Sequence, residues 1–173
     1  MQQQQPLSKQ FNAMVITMAH LNNPLGWDIV SDGEAPSTLE ALNSLVQRSA
    51  RVAVSGENSE TSIYACPEHN AAFRAWHDVG HYAIQAPFTL EGEQAVCGWQ
   101  VRQMFDRYGV SPLTKFWADL IDCEVIGQAL YFEAHGVFPP HQRQFTEAFL
   151  ADEARALAMG PGAAWVNTTS MEG

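Results

Sequence analysis

Pro67-Glu68-His69-Asn70-Ala71-Ala72-Phe73-Arg74-Ala75-Trp76-His77-Asp78-Val79-Gly80-His81-Tyr82-Ala83-Ile84 is the stretch of this 173-residue chain whose reading decides its fold. A proline lacks the N–H that a first helical turn leaves unpaired anyway, and its φ is already helical, so Pro67 predicts a helix running to about Ile84. On a wheel of ~100° per residue, Phe73, Trp76, Gly80 and Ile84 form one apolar face. His77 and His81 lie on the flank of that face. Four residues apart, their imidazoles stand one turn from each other on the same side, where they can share an ion. Asp78 points further round, within reach of Arg74 as an i, i+4 ion pair.

Working outward, the neighbouring segments also read as helices. Thr89 caps a helix that ends near Tyr108, with Gly109 as its stop. Ser111-Pro112 combines a cap with proline at the first helical position and predicts a helix to His135, ended by Gly136. Pro139-Pro140 starts a last helix that Gly160-Pro161 ends. Upstream, Leu7 to Asn22 places Leu7, Phe11, Met14, Val15 and Met18 on one face, with His20 opposite. Ser37-Thr38-Leu39-Glu40 has capping-box spacing and opens a helix to about Arg48. Arg51 to Ser55 and Ser62 to Ala65 alternate weakly around a polar loop and predict a small β-hairpin. The fold expected is mainly α: one domain spanning residues 1–173, a bundle of five to six helices with a small hairpin. Residues 1–5 and 162–173 are expected as flexible or docking tails.

The informative residues are polar ones on apolar stripes, because a buried charge is costly unless it is paired or metal-bound. In the helix from Pro112, Leu113, Trp117, Leu120 and Ile121 define the buried stripe, and Glu124, Gln128, Tyr131 and His135 continue it. Asp119, Asp122 and Glu133 face the other way. In the Thr89 helix the stripe is Leu90, Cys97, Val101, Met104 and Tyr108, with Glu93 at its edge and Glu91 turned away. In the last helix Asp152 interrupts Phe145, Ala148, Phe149 and Ala156. Two imidazoles with one or two carboxylates make a usual ligand set for zinc, manganese or iron with room for a water. His77, His81 and Glu124 are therefore the expected ligands of a divalent metal ion, and Glu93 is an alternative one. Whichever of Glu93 and Glu124 is not a ligand could take a proton, and Arg74 could steady an anionic group. His69, His135, His141 and Asp152 stand further back. A plainer reading remains open, in which Glu124 accepts hydrogen bonds from Tyr82, Tyr131 or a tryptophan N–H. Trp76, Trp99 and Trp117 read as core.

At Trp76 to His81 the sequence resembles the histidine-aspartate doublet of the HD phosphohydrolases, all-helical metal-dependent enzymes that cut phosphate esters, nucleotides included. The resemblance covers this hexapeptide and implies His77 and Asp78 as metal ligands. The helix predicted before it, Ser37 to Arg48, contains no histidine, and Asp119 and Asp122 face outward, so the rest of that family's ligand set has no counterpart here. In a wider pattern the chain is similar to small uncharacterised proteins of phages and plasmids. That pattern runs from Phe73-Arg74-Ala75-Trp76-His77-Asp78-Val79-Gly80-His81, through Phe88 to Glu93, to Glu124 to Gln128 and Tyr131.

Composition narrows the function classes. The chain carries 19 acidic against 9 basic residues, a net charge of −10. Such a balance repels phosphate backbones and, with no Lys/Arg cluster, argues against nucleic acid as a partner. No apolar run approaches the ~20 residues of a membrane span. The start, Met1-Gln2-Gln3-Gln4-Gln5, has no basic lead, which argues against a signal peptide. Cys66, Cys97 and Cys123 read as reduced thiols of a cytoplasmic protein. The leading expectation is a metal-dependent hydrolase acting on a phosphoester or nucleotide-like small molecule, compatible with homo-oligomers. One alternative is a non-enzymatic phage-type accessory or inhibitor protein with a structural polar or metal site. The other is a ferritin-like di-metal redox protein, whose Glu-x-x-His signature the sequence lacks.

Overall fold

In the computed structural model, which describes residues 5–163, the chain is a mainly helical single domain with one small sheet. The helices are α1 (Lys9–Asn22), α2 (Leu39–Ser49), α3 (Pro67–Ile84), α4 (Leu90–Tyr108), α5 (Pro112–Asp122), α6 (Gln128–His135), α7 (Gln142–Ala151) and α8 (Glu153–Ala158). A π-helical turn, Cys123–Gly127, joins α5 to α6 without a break in the rod. The expected tails fall largely outside the described residues.

Local chemistry accounts for most helix ends. Ser8, Thr38, Thr89 and Ser111 each accept a backbone N–H of the first turn, satisfying donors that would otherwise be orphaned. For α2 the cap is thus Thr38, one residue later than Ser37. At Ser111 the partner Thr114 completes a reciprocal capping box, and Pro112 follows. Gly136 ends α6 at φ 71°, a left-handed conformation that costs glycine nothing.

Two expectations are corrected. Arg51 to Ser55 does not form a hairpin with Ser62 to Ala65. Instead β2 (Ala53–Ser55) pairs in parallel with β1 (Asp28–Val30), with α2 as the crossover. Ile63 and Tyr64 are buried against α1, and their segment spends its backbone there: Leu7 donates to the Ile63 carbonyl and Ala65 donates to Asn12 Oδ1. The helix expected from Pro112 to His135 is present over its full length, with the π turn within it, which is where Glu124 lies. The last helix is two helices. Asp152 turns extended at φ −160° and its carboxylate accepts the Arg155 N–H, so it caps α8 in solvent and is not a core acid.

The main core joins α1, α3, α4 and α5 through Phe11, Met14, Phe73, Trp76, Met104, Leu120 and Ile121. A second cluster, Cys123, Tyr131, Phe145, Phe149 and Ala156, seats α7 and α8 on the π turn and α6. A third, Leu42, Val52, Val54, Ala71 and Ala75, fixes α2 and β2 to α3. Gly80 lets α3 and α4 close on each other: a Cβ there would stand 2.7 Å from Val96 Cγ1 and 3.0 Å from the Trp99 ring. This close approach brings the His77/His81 flank of α3 against the first turns of α4. Cys66, Cys97 and Cys123 are free thiols, and no helix among the described residues is long and apolar enough to cross a membrane.

Candidate metal centre

His77 and His81 leave α3 one turn apart and meet Glu93, which sits in the first turn of α4. The His77 and His81 Nε2 atoms are 2.9 Å apart. Glu93 reaches both, with Oε2 at 3.0 Å from His77 Nε2 and Oε1 at 3.3 Å from His81 Nε2. Glu93 is held there by backbone geometry. Thr89 caps α4, its N–H bonds the Pro87 carbonyl, and Gly92 lies so close to that carbonyl that a Cβ would stand 1.8 Å from its oxygen.

The far ring nitrogens fix the chemistry of the near ones. His81 Nδ1 lies 2.9 Å from the Ala86 carbonyl oxygen, which can only accept, so Nδ1 carries the proton. His77 Nδ1 faces Gln100 Oε1 at 3.2 Å and, in that arrangement, donates as well. In neutral imidazoles both Nε2 atoms then present lone pairs, to each other and to a carboxylate. Three electron-rich groups in contact repel unless a cation lies between them, and a proton and a metal ion are the two that fit. Ligand atoms ~2.1 Å from one ion at right or tetrahedral angles lie roughly 3.0–3.4 Å apart. The two Nε2 atoms at 2.9 Å, and the Glu93 oxygens at 3.0 Å (Oε2 to His77) and 3.3 Å (Oε1 to His81), stand close to that spacing. Among the described residues these three form the group with metal-ligand spacing.

Burial and stacking hold the rings still. His81 is fully buried and stacks on Phe88 at 4.2 Å and 12°. His77 lies over Phe73 at 6.5 Å and 15°. When a proton and not a metal ion sits at the centre, burial pushes the Glu93 carboxyl up, but hydrogen bonds from the protonated His77 and His81 rings outweigh it and hold it at about 2. For His77, burial lowers the pKa, while the Glu93 hydrogen bond and charge raise it by more, for a net rise.

The centre forms one wall of a cavity of about 830 Å³ that Arg74, His77, Asp78, Glu93, Glu124 and Gln128 help to line. Glu124 therefore faces the same space, but it is outside the three-residue cluster. It accepts from Gln128 Nε2 at 3.1 Å and Thr146 Oγ1 at 3.3 Å. These two side chains satisfy it, and the tyrosine acting on its carboxylate is Tyr64. Burial raises its carboxyl, hydrogen bonds from Thr146 and Gln128 oppose this, and the net is about 7. Asp78, the ligand implied by the HD resemblance, also lines the cavity outside the cluster, and burial raises its carboxyl to about 6. Arg74 does not form the expected ion pair with Asp78. Its Nη1 donates to the carbonyls of Ser55 at 2.7 Å and Glu57 at 2.8 Å, because the chain leaving β2 passes beside α3 and offers both.

The remaining histidines lie elsewhere. His69 pairs with the Cys66 sulfur at 2.7 Å, His135 donates to the Leu157 carbonyl, and His141 and His20 are exposed. Sequence reasoning did not single out Gln100, Phe88 or the Ala86 carbonyl. Gln100 had a readable signal, since it follows Glu93 by seven residues on α4 and thus shares its face. The Ala86 carbonyl had none. Compared with protein-family models, curated proteins and solved structures, the chain matches none of them, so the site is read from its own geometry.

Proposed function

We propose that this protein is a metal-dependent hydrolase of small molecules, with His77, His81 and Glu93 as the ligands of one divalent zinc, manganese or iron ion. The observation that carries the proposal is the convergence of two imidazole nitrogens, left with lone pairs in the neutral rings because the oxygens behind them hold the ring protons on Nδ1, on one carboxylate at the wall of a cavity. Three protein ligands leave room for a water, whose pKa a bound ion lowers toward neutrality. Glu124 lines the same cavity, and a carboxyl titrating at about 7 suits a group that accepts a proton and later returns it. Gln128 and Thr146 orient it. Arg74, also in the lining, is anchored by two carbonyls and offers a fixed positive edge.

Phosphoesters and nucleotide-like compounds are the substrates that the HD resemblance implies, and carboxylic amides and esters are the other class that a polarised water attacks. A panel of all four, assayed with zinc, manganese and iron, tests the activity. Turnover should appear with at least one metal and fall at least 100-fold in His77→Ala, His81→Ala and Glu93→Gln. Metal binding without turnover of any compound would favour a non-enzymatic protein with a structural metal.

A further inference from the structure

The charge and shape of the cavity bear on what it admits. Its ionisable lining includes the carboxylates Asp32, Asp78, Glu93, Glu124 and Glu133, against the single guanidinium of Arg74. Arg74 is already turned toward two backbone carbonyls. With a divalent ion added, the wall stays net negative even when Glu124 holds a proton. A phosphate dianion entering it would meet more repulsion than attraction, whereas an ammonium group would meet net attraction that offsets its lost hydration.

The apolar part of the lining is divided in function. Phe73 and Phe88 are stacked on the two imidazoles. Phe132 and Phe138 pair with each other at 4.8 Å, and although both line the cavity they are 45% and 53% exposed. Glu133 follows Phe132 in sequence and is also exposed in the lining. An exposed aromatic pair in a cavity whose lining also carries a carboxylate suits a flat or apolar body bearing a positive charge. At about 830 Å³ the space falls within the ~300–1,000 Å³ of small-molecule sites.

Resting on the metal-hydrolase reading, we infer that the substrate is a cationic carboxamide or ester: its carbonyl at the His77/His81/Glu93 centre, its apolar body on Phe132 and Phe138, its ammonium toward Glu133. The reaction is hydrolysis. The oxygen of water bonds to the carbonyl carbon and the C–N or C–O bond breaks. The bonding electron pair leaves on nitrogen or oxygen, which takes up a proton that the water gave up. Nothing is oxidised or reduced.

Three matched ligands test the inference on the full-length protein loaded with zinc, whose content is measured first. They are 4-(aminomethyl)benzohydroxamate, 4-methylbenzohydroxamate and 4-methylphenylphosphonate, each an aryl group with a metal-binding head. Titration calorimetry should rank the aminomethyl compound about tenfold tighter than the methyl compound and the phosphonate weakest. In Glu133→Gln the tenfold preference should shrink about three- to tenfold while zinc content is unchanged. A phosphonate that binds tightest, or hydroxamates indifferent to the ammonium, would overturn the inference. Zinc bound through the three residues with none of the ligands binding would overturn it too, and leave the metal centre standing. A protein that takes up no metal would remove both.

Discussion

Adding a metal ion to metal-free protein should raise its thermal stability, and the three-ligand geometry sets how much. A ligand that binds only the folded state adds ~2.7 kcal/mol at 100 times its Kd and ~4.1 kcal/mol at 1,000 times. For a chain of 173 residues, each kcal/mol moves Tm by roughly 2–4 °C, so zinc at 100 times Kd should raise Tm by roughly 5–11 °C. Glu93→Gln keeps the shape of the side chain and removes the charge that meets both Nε2 atoms at 3.0 and 3.3 Å. Losing one of three ligands should weaken the ion by about 100-fold or more, equivalent to the whole ~2.7 kcal/mol, and so abolish most of the shift at the same zinc concentration. Protons compete for the same nitrogens, so the wild-type shift should grow from pH 6 to pH 8. Differential scanning fluorimetry with zinc, manganese and iron, repeated with His77→Ala/His81→Ala, reads all of this. A wild-type shift of zero with every metal, or an equal shift in the variants, would show that the cation among these groups is a proton and refute the metal assignment.

Other residues carry separate expectations. Gln100→Leu removes the carbonyl that takes the His77 Nδ1 proton, and should weaken zinc 10–100-fold in a competition titration while circular dichroism stays helical. Gly92→Ala places a Cβ against the Pro87 carbonyl and should cost about 3 kcal/mol or more in urea unfolding. Gly98→Ala, in the same helix with nothing within 4 Å of its Cβ, should instead stabilise by up to ~1 kcal/mol. Glu124 titrates at about 7 in the fold against 4.5 for a free carboxyl, so the native state holds its proton more tightly and stability is lost as pH rises through that window. Relative to Glu124→Gln, wild type should therefore lose up to ~3 kcal/mol between pH 4.5 and 8. A pH-independent difference between the two would contradict the burial of this acid.

The helical class and the His77/His81 pair were legible in the sequence because both follow from local periodicity and end chemistry: Pro67, Thr89, Ser111 with Pro112, and Gly136 act within one turn of where they stand. Glu93 was legible only as an acid at the edge of a stripe, since a helical wheel gives direction and not distance. The close approach of α3 and α4 at Gly80 and the turn clamped over Gly92 are what carry its carboxylate to both imidazoles. The parallel pairing of β1 with β2, the carbonyls that hold Arg74, and the Ala86 oxygen that fixes the His81 tautomer are backbone groups supplied by other segments. Every residue carries the same carbonyl, so side-chain identity is silent about which one will be used. Only the packed chain decides which backbone oxygen faces which nitrogen, and with it where a positive ion can rest.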